Sequence, residues 1–152
     1  MTLGDMLRNS SKRRRGSSMV EFAMLMPWYA FLFVGAYDYG FYSYGLIATE
    51  NAARVAAIYC SGSVSLAQNC SSAACTYALD QLRDLPNVGS SMSTCSSPVV
   101  VTTSMVSGVN SPDGANAAQV TVQYTTPNLI PIPNLLPGTT TLVRTVTMRV
   151  LT

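Results

Sequence analysis

The sequence predicts an α+β chain. A long N-terminal membrane-spanning helix continues onto a small domain with a short second helix and a three-stranded, mainly antiparallel sheet. Three observations predict it. A four-residue basic cluster, Lys12-Arg13-Arg14-Arg15, stands directly before an apolar run. That run passes without a break into an alanine-rich stretch of helical period. From residue 98 onward the period changes to two, the signature of strands. At 152 residues the chain has room for one modest domain, a helix and a leader. The division that follows is 1–16 as a basic leader, 17–59 as the N-terminal helix and 60–152 as an exported α+β domain.

The leader, 1–16, is polar and basic, with no apolar core of its own. A secretory signal carries its apolar region upstream of the cut. Here the apolar run lies downstream of Gly16 and would stay with the product. The basic cluster holds the N-terminus in the cytoplasm by the positive-inside rule and sends the rest outward. The competing reading is a signal anchor that uses the same charges and is never cut. Five of the nine basic residues precede Gly16, so a chain starting at Ser17 keeps four arginines against six acids, a side-chain charge of −2. Such a chain has no basic patch to displace counterions, and nucleic acid is not an expected partner.

The membrane segment is read at about 19–37. Its uncharged part, 22–37, has 16 residues, or about 24 Å of helix, slightly short of a hydrocarbon core of about 30 Å. Tyr37, Tyr39, Phe41, Tyr42 and Tyr44 suit the headgroup region and extend the span. Glu21 is the anomaly, because a carboxylate at the mouth of a membrane helix costs about 2.5–3.5 kcal/mol on the insertion scale. Pro27 lacks an N–H and is expected to bend the helix or loosen one turn. Bilayers also tolerate an incidental proline when neighbours satisfy the freed carbonyl. Helical character runs on to residue 59, giving one helix over 18–59. Ala48, Ala52 and Ala56 form a small-residue ridge for close approach, and Glu50 with Arg54 forms an i,i+4 ion pair. Gly35, Gly40 and Gly45 weaken the helix and mark candidate kinks.

A glycine at the junction, a glutamate five residues on and an aromatic next to it (Gly16, Ser17, Glu21, Phe22) is the pattern that prepilin peptidases process. Together with Pro27, Tyr37-Asp38-Tyr39-Gly40 and Asn51-Ala52-Ala53-Arg54, these residues resemble the TadE-like family, minor pilins or pseudopilins of the Tad (Flp-type) branch of type IV pili. The resemblance covers about the first 59 residues. It departs at Asp38, where such sequences often have Glu, and at Ala57, where a second Arg is common. It implies that Gly16 supplies the scissile carbonyl and Ser17 the new N-terminus. Glu21 then serves recognition or assembly, with the amine at Ser17 of a neighbouring subunit as its natural cation. The plainer reading has Glu21 snorkel to the headgroups. The implied partners are a prepilin peptidase, other pilins and minor pilins, inner-membrane lipid and the Tad assembly machinery. The implied place is the bacterial inner membrane, single-pass, N-terminus in the cytoplasm and C-terminal domain outside.

The exported part holds all four cysteines, Cys60, Cys70, Cys75 and Cys95. An even count on the outer side of a membrane predicts two disulfides. Three connectivities are open, and the reading leans to Cys60–Cys70 with Cys75–Cys95. Zinc is the competing idea, disfavoured because the chain has no histidine and no CxxC. A second helix is expected over 66–85, with Tyr77, Leu79, Leu82 and Leu85 as its core stripe and Pro86 as its stop. Serine-rich 61–65 and 89–97 read as loops. Strands are expected over 98–106, 119–125 and 140–151, with an Asp113-Gly114 turn between the first two. The segment 126–138 interleaves four prolines with leucines and isoleucines, so no regular ladder includes it. It is read as covering the sheet edge or contacting a neighbour.

Catalysis finds no support in the sequence. No Ser/His/Asp or Cys/His combination is possible, no glycine-rich phosphate loop occurs, and Asp80 with Asp84 reads as a helix-surface pair. No cofactor is expected. The function expected is an assembly subunit; the alternative is an unprocessed bitopic membrane protein whose exported domain binds a partner or ligand.

Overall fold

The computed structural model describes residues 3–107, 114–129 and 138–151, with side chains from residue 18 onward. The element order is α1 (Leu3–Cys60), α2 (Val64–Asn69), α3 (Ser71–Leu82), β1 (Val99–Val106), β2 (Ala117–Thr125) and β3 (Thr141–Arg149). The α+β class, the long apolar helix and the three-stranded antiparallel sheet all match the sequence reading. Two compact units divide the chain, Met1–Gly40 and Phe41–Thr152.

The first unit is helical from Leu3, well before the expected start at residue 18. The leader contains no proline, and its leucine, methionine, arginine and lysine residues are good helix formers. Pro27 lies inside the helix, which continues through it. Between residues 18 and 33 every side chain is exposed, including Phe22, Trp28, Phe31 and Phe33. An all-round apolar surface of this kind is what a lipid-facing helix presents. The helix from Ser18 to Cys60 has one stretch long and apolar enough to cross a membrane, and none of that stretch is buried within the protein.

The second unit is built around the rest of α1. Ala52, Ala53, Ala56, Ala57 and Cys60 are fully buried, and Thr49 with them. Four side chains of a single carbon let the helix backbone approach its neighbours closely. Gly45 does so most: a Cβ there would stand 3.2 Å from Leu142 Cδ1 and 3.7 Å from the Tyr124 ring. The helix continues through all three glycines expected to kink it. Gly45 is therefore a notch for the sheet rather than a hinge.

The sheet has the order β1-β2-β3, with β2 central and both pairings antiparallel. Register rows run Val99–Tyr124–Leu142 and Val101–Val122–Arg144 on the core face. On that face Val99, Val120, Val122, Tyr124 and Leu142 are buried. The opposite face is a polar lattice. Thr121 and Thr145 share a 2.8 Å hydroxyl bond, and Ser104 donates to Gln119 Oε1 at 3.3 Å. Strict alternation along β2 thus separates an apolar face from a hydroxyl-rich one.

The second helix is two pieces rather than one. The break falls at Cys70 (φ −87°, ψ 2°), whose sulfur is bonded to Cys60 at the end of α1. Part of the expected serine loop is the start of α2, where Ser63 Oγ accepts from the Leu66 N–H at 3.2 Å as an N-cap. α3 ends at Leu82, and Leu85 and Val88 are buried from successive turns. Tyr77 is not core. Ala74, Ala78 and Leu82, four apart, define the inward face, and Tyr77 lies about 100° round the helix from it. Its ring packs on Tyr59 instead, centroids 4.9 Å apart.

Gly114 has φ +69°, the left-handed conformation that glycine takes without strain. Asp113, the other half of the expected turn, lies outside the described residues. So do 130–137, which hold most of the proline-rich segment. Its base is described: Thr126 N–H donates to Thr140 O at 2.9 Å, and Thr140 N–H donates to Thr126 Oγ1 at 3.0 Å.

Candidate functional site

Residues Gly16, Ser17, Glu21, Phe22 and Pro27 all lie on α1, and the backbone is helical at each. Glu21 and Phe22 are exposed and adjacent. Their side chains leave the helix about 100° apart, so a reader of the pair must span two faces. Gly16 is the weakest helix former in the junction, which makes its two peptide bonds the least costly to unwind, by about 1 kcal/mol relative to alanine. A protease needs an extended substrate strand, and a helical junction must open locally before it can be cut. The charges at 12–15 and the acid at 21 bracket that weak point in sequence.

In the second unit the four cysteines form Cys60–Cys70 and Cys75–Cys95, with Cα separations of 5.6 and 5.7 Å. Cys60 and Cys70 are buried, whereas Cys75 and Cys95 are half-buried. The first bond ties the end of α1 to the α2–α3 junction, and the second ties α3 to the loop before β1. No group of three His, Cys, Asp or Glu that could hold a metal ion occurs among the described residues. Asp80 and Asp84 are both exposed, as expected of surface acids, and Asp80 pairs with Arg83 at 3.2 Å. Glu50 and Arg54 form the expected ion pair at 2.6 Å.

A half-open hollow of about 340 Å³ lies between α3 and residues 89–93, lined by Thr76, Leu79, Asp80, Arg83, Ser90 and Met92 among others. Its charges are the exposed Asp80–Arg83 pair, so it has hydroxyl groups but no converging acid and base.

Sequence reasoning missed the polar clasp at the sheet's lower row. Tyr124, fully buried, donates its phenol proton to Asn87 Oδ1 at 2.6 Å, and Asn87 Nδ2 donates to Thr125 O at 2.7 Å. Burial pushes the Tyr124 phenol up to about 12. The partners are 37 residues apart in sequence, and only the tight alternation of β2, which turns Tyr124 inward, hinted at a buried hydroxyl needing an acceptor.

Residues 16–57 match the family model described as TadE-like protein. The matched segment begins at Gly16, includes Glu21, Phe22 and Pro27, and ends inside the last turn of α1. It covers most of α1 and leaves α2, α3 and the sheet outside. No curated protein and no solved structure matches the chain.

Proposed function

We propose that this chain is a minor pilin or pseudopilin of a Tad-type pilus system, made as a single-span precursor and cut after Gly16 by a prepilin peptidase. The TadE-like match ties the N-terminal segment to the Tad pilus system. The observation that carries the finer reading is the coincidence of its boundary with the chemistry: the match opens at Gly16, where a basic cluster ends and an apolar helix with one acid begins.

On this reading the leader stays in the cytoplasm and α1 crosses the inner membrane. The disulfide-bonded domain stands outside, in the compartment where such bonds persist. Removing 1–16 deletes the cationic head that resists movement across or out of the bilayer. The product keeps an apolar stem with Glu21 as its fifth residue. In the assembled state that carboxylate meets the new amine at Ser17 of a neighbouring copy, an attraction strengthened by low local dielectric, which sets helix register. The activity is packing, not catalysis, and the outcome is pilus assembly or surface attachment.

Intact mass of the protein from native membranes tests the reading. A chain beginning at Ser17 is expected, and a functional chain that retains 1–16 overturns it. Gly16→Ala is expected to block cleavage, whereas Glu21→Ala is expected to leave cleavage and impair incorporation. Normal incorporation of the second variant removes the assembly role of Glu21.

A further inference from the structure

The two ends of the sheet carry connections of opposite chemistry. Two sets of contacts orient the sheet along the part of α1 that lies in the second unit. At one end Gly45 admits Leu142 and the Tyr124 ring. At the other, Leu151 N–H donates to Ser61 O and Val150 N–H donates to Asn116 O, both at 2.9 Å. β3 therefore runs antiparallel to the helix, and the two ends can be told apart. The β1–β2 connection, 107–116, belongs to the Ser61 end and is polar, with Asp113 in it. The β2–β3 connection springs from the Gly45 end, where Thr126 and Thr140 close its base. Its residues 129–136 read Leu-Ile-Pro-Ile-Pro-Asn-Leu-Leu, and no charged residue occurs between Asp113 and Arg144. Tyr42 and Tyr44, both exposed, stand within one turn of Gly45.

We propose that the Gly45 end of the second unit rests on the outer leaflet of the bilayer that α1 crosses, its aliphatic connection sunk among headgroups and upper acyl chains. This rests on the single-span reading above, in which the chain leaves the membrane segment and enters the second unit at Phe41. Reach allows the contact. Phe41 precedes Gly45 by about 6 Å of helix, and the extended chain from Tyr124 to Leu129 covers up to about 17 Å. Burial of Leu129, Ile130, Ile132, Leu135 and Leu136 drives it, as for other interfacial anchors. Pro131, Pro133 and Pro137 lower its cost, because they bring no N–H to be left unpaired near hydrocarbon. Tyr42 and Tyr44 are of the type that collects at the membrane–water boundary. An aliphatic connection at the Ser61 end would select a protein partner; at the end where the chain leaves the membrane it selects lipid.

Fluorophores placed on the full chain in vesicles of phosphatidylethanolamine and phosphatidylglycerol test the contact, since all four native cysteines are already in disulfides. A thiol-reactive nitrobenzoxadiazole label is carried by Leu129→Cys, by Asn116→Cys at the opposite end of the sheet, or by Phe31→Cys within the span. Quenching is read with a lipid bearing a nitroxide on an upper acyl carbon. Quenching at position 129 is expected to be roughly threefold that at position 116. It is expected to fall to the level of position 116 when Leu135→Asp and Leu136→Asp are added. Equal quenching at 129 and 116, or strong quenching at 129 that survives the two added acids, overturns the inference. The label at position 31 separates the two readings. Quenching there without quenching at 129 overturns the lipid contact and leaves the single span standing, whereas its absence at both overturns the two together.

Discussion

Replacing Tyr124 by phenylalanine removes one oxygen from the centre of the second unit and nothing else. The ring stays fully buried against Gly45, so no cavity opens. What is lost is the 2.6 Å bond to Asn87 Oδ1. A neutral hydrogen bond contributes about 1 kcal/mol net, and a stranded buried acceptor costs about 1–3 kcal/mol more. Asn87 is half-exposed, so water reaches its oxygen and the penalty falls at the low end, giving a total of about 1–2 kcal/mol. Hydrogen exchange of the full chain in detergent, read on peptides covering β2, measures this directly. Protection is expected to fall by roughly five- to thirtyfold. Unchanged protection would show that the clasp between Asn87 and the sheet contributes nothing, and the account of the core's only buried phenol among the described residues would fail.

The same phenol predicts alkaline lability. Its folded value of about 12 lies above the ordinary 10.0 because burial disfavours the phenolate, so stability is unaffected by it below pH 10 and falls as pH rises from 10 through 12, by about 3 kcal/mol in all. Unfolding midpoints taken from pH 9 to 11.5 are expected to drop more steeply for the native chain than for Tyr124→Phe. At the helix notch, Gly45→Ala is expected to be near neutral, because the Leu142 methyl can yield and alanine favours the helix. Gly45→Val drives branched carbons at Leu142 and Tyr124 and is expected to cost about 1–3 kcal/mol, read by the same exchange measurement. Replacing Cys75 and Cys95 together by alanine is expected to cost about 3 kcal/mol, from the entropy of the loop they close. Denaturant midpoints with and without reductant check it, the doubly substituted chain being insensitive to the reductant on that account.

Much of this architecture is written in periodicity. The apolar run after Arg15 and the alternation of 119–125 point to an exposed apolar helix and a half-buried strand, and both are found. The Glu50–Arg54 pair is legible because four residues make about one turn. What period does not encode is tertiary coincidence. The break at Cys70 is invisible in a window of helix-forming residues on both sides. Tyr77 looks like core by hydrophobicity and is turned out by 100° of helix rotation. Gly45 looks like a weakness because the contact that uses it, Leu142, is 97 residues away in sequence. At the N-terminal junction, residue chemistry alone suggested the processing signal, and Gly16 is also where the TadE-like match begins.

The alanine face of α1 has a mechanical consequence. Single-carbon side chains make a smooth bearing, with few knobs to resist sliding of the helix along the sheet. Sliding along the sheet is therefore resisted at the notch where Gly45 admits Leu142 and Tyr124, and the covalent weld from Cys60 to Cys70 holds the end of α1 to the small helices. Tension transmitted along α1 reaches the small helices through the Cys60–Cys70 sulfurs and the Tyr59–Tyr77 contact, and reduction would leave that load to packing alone.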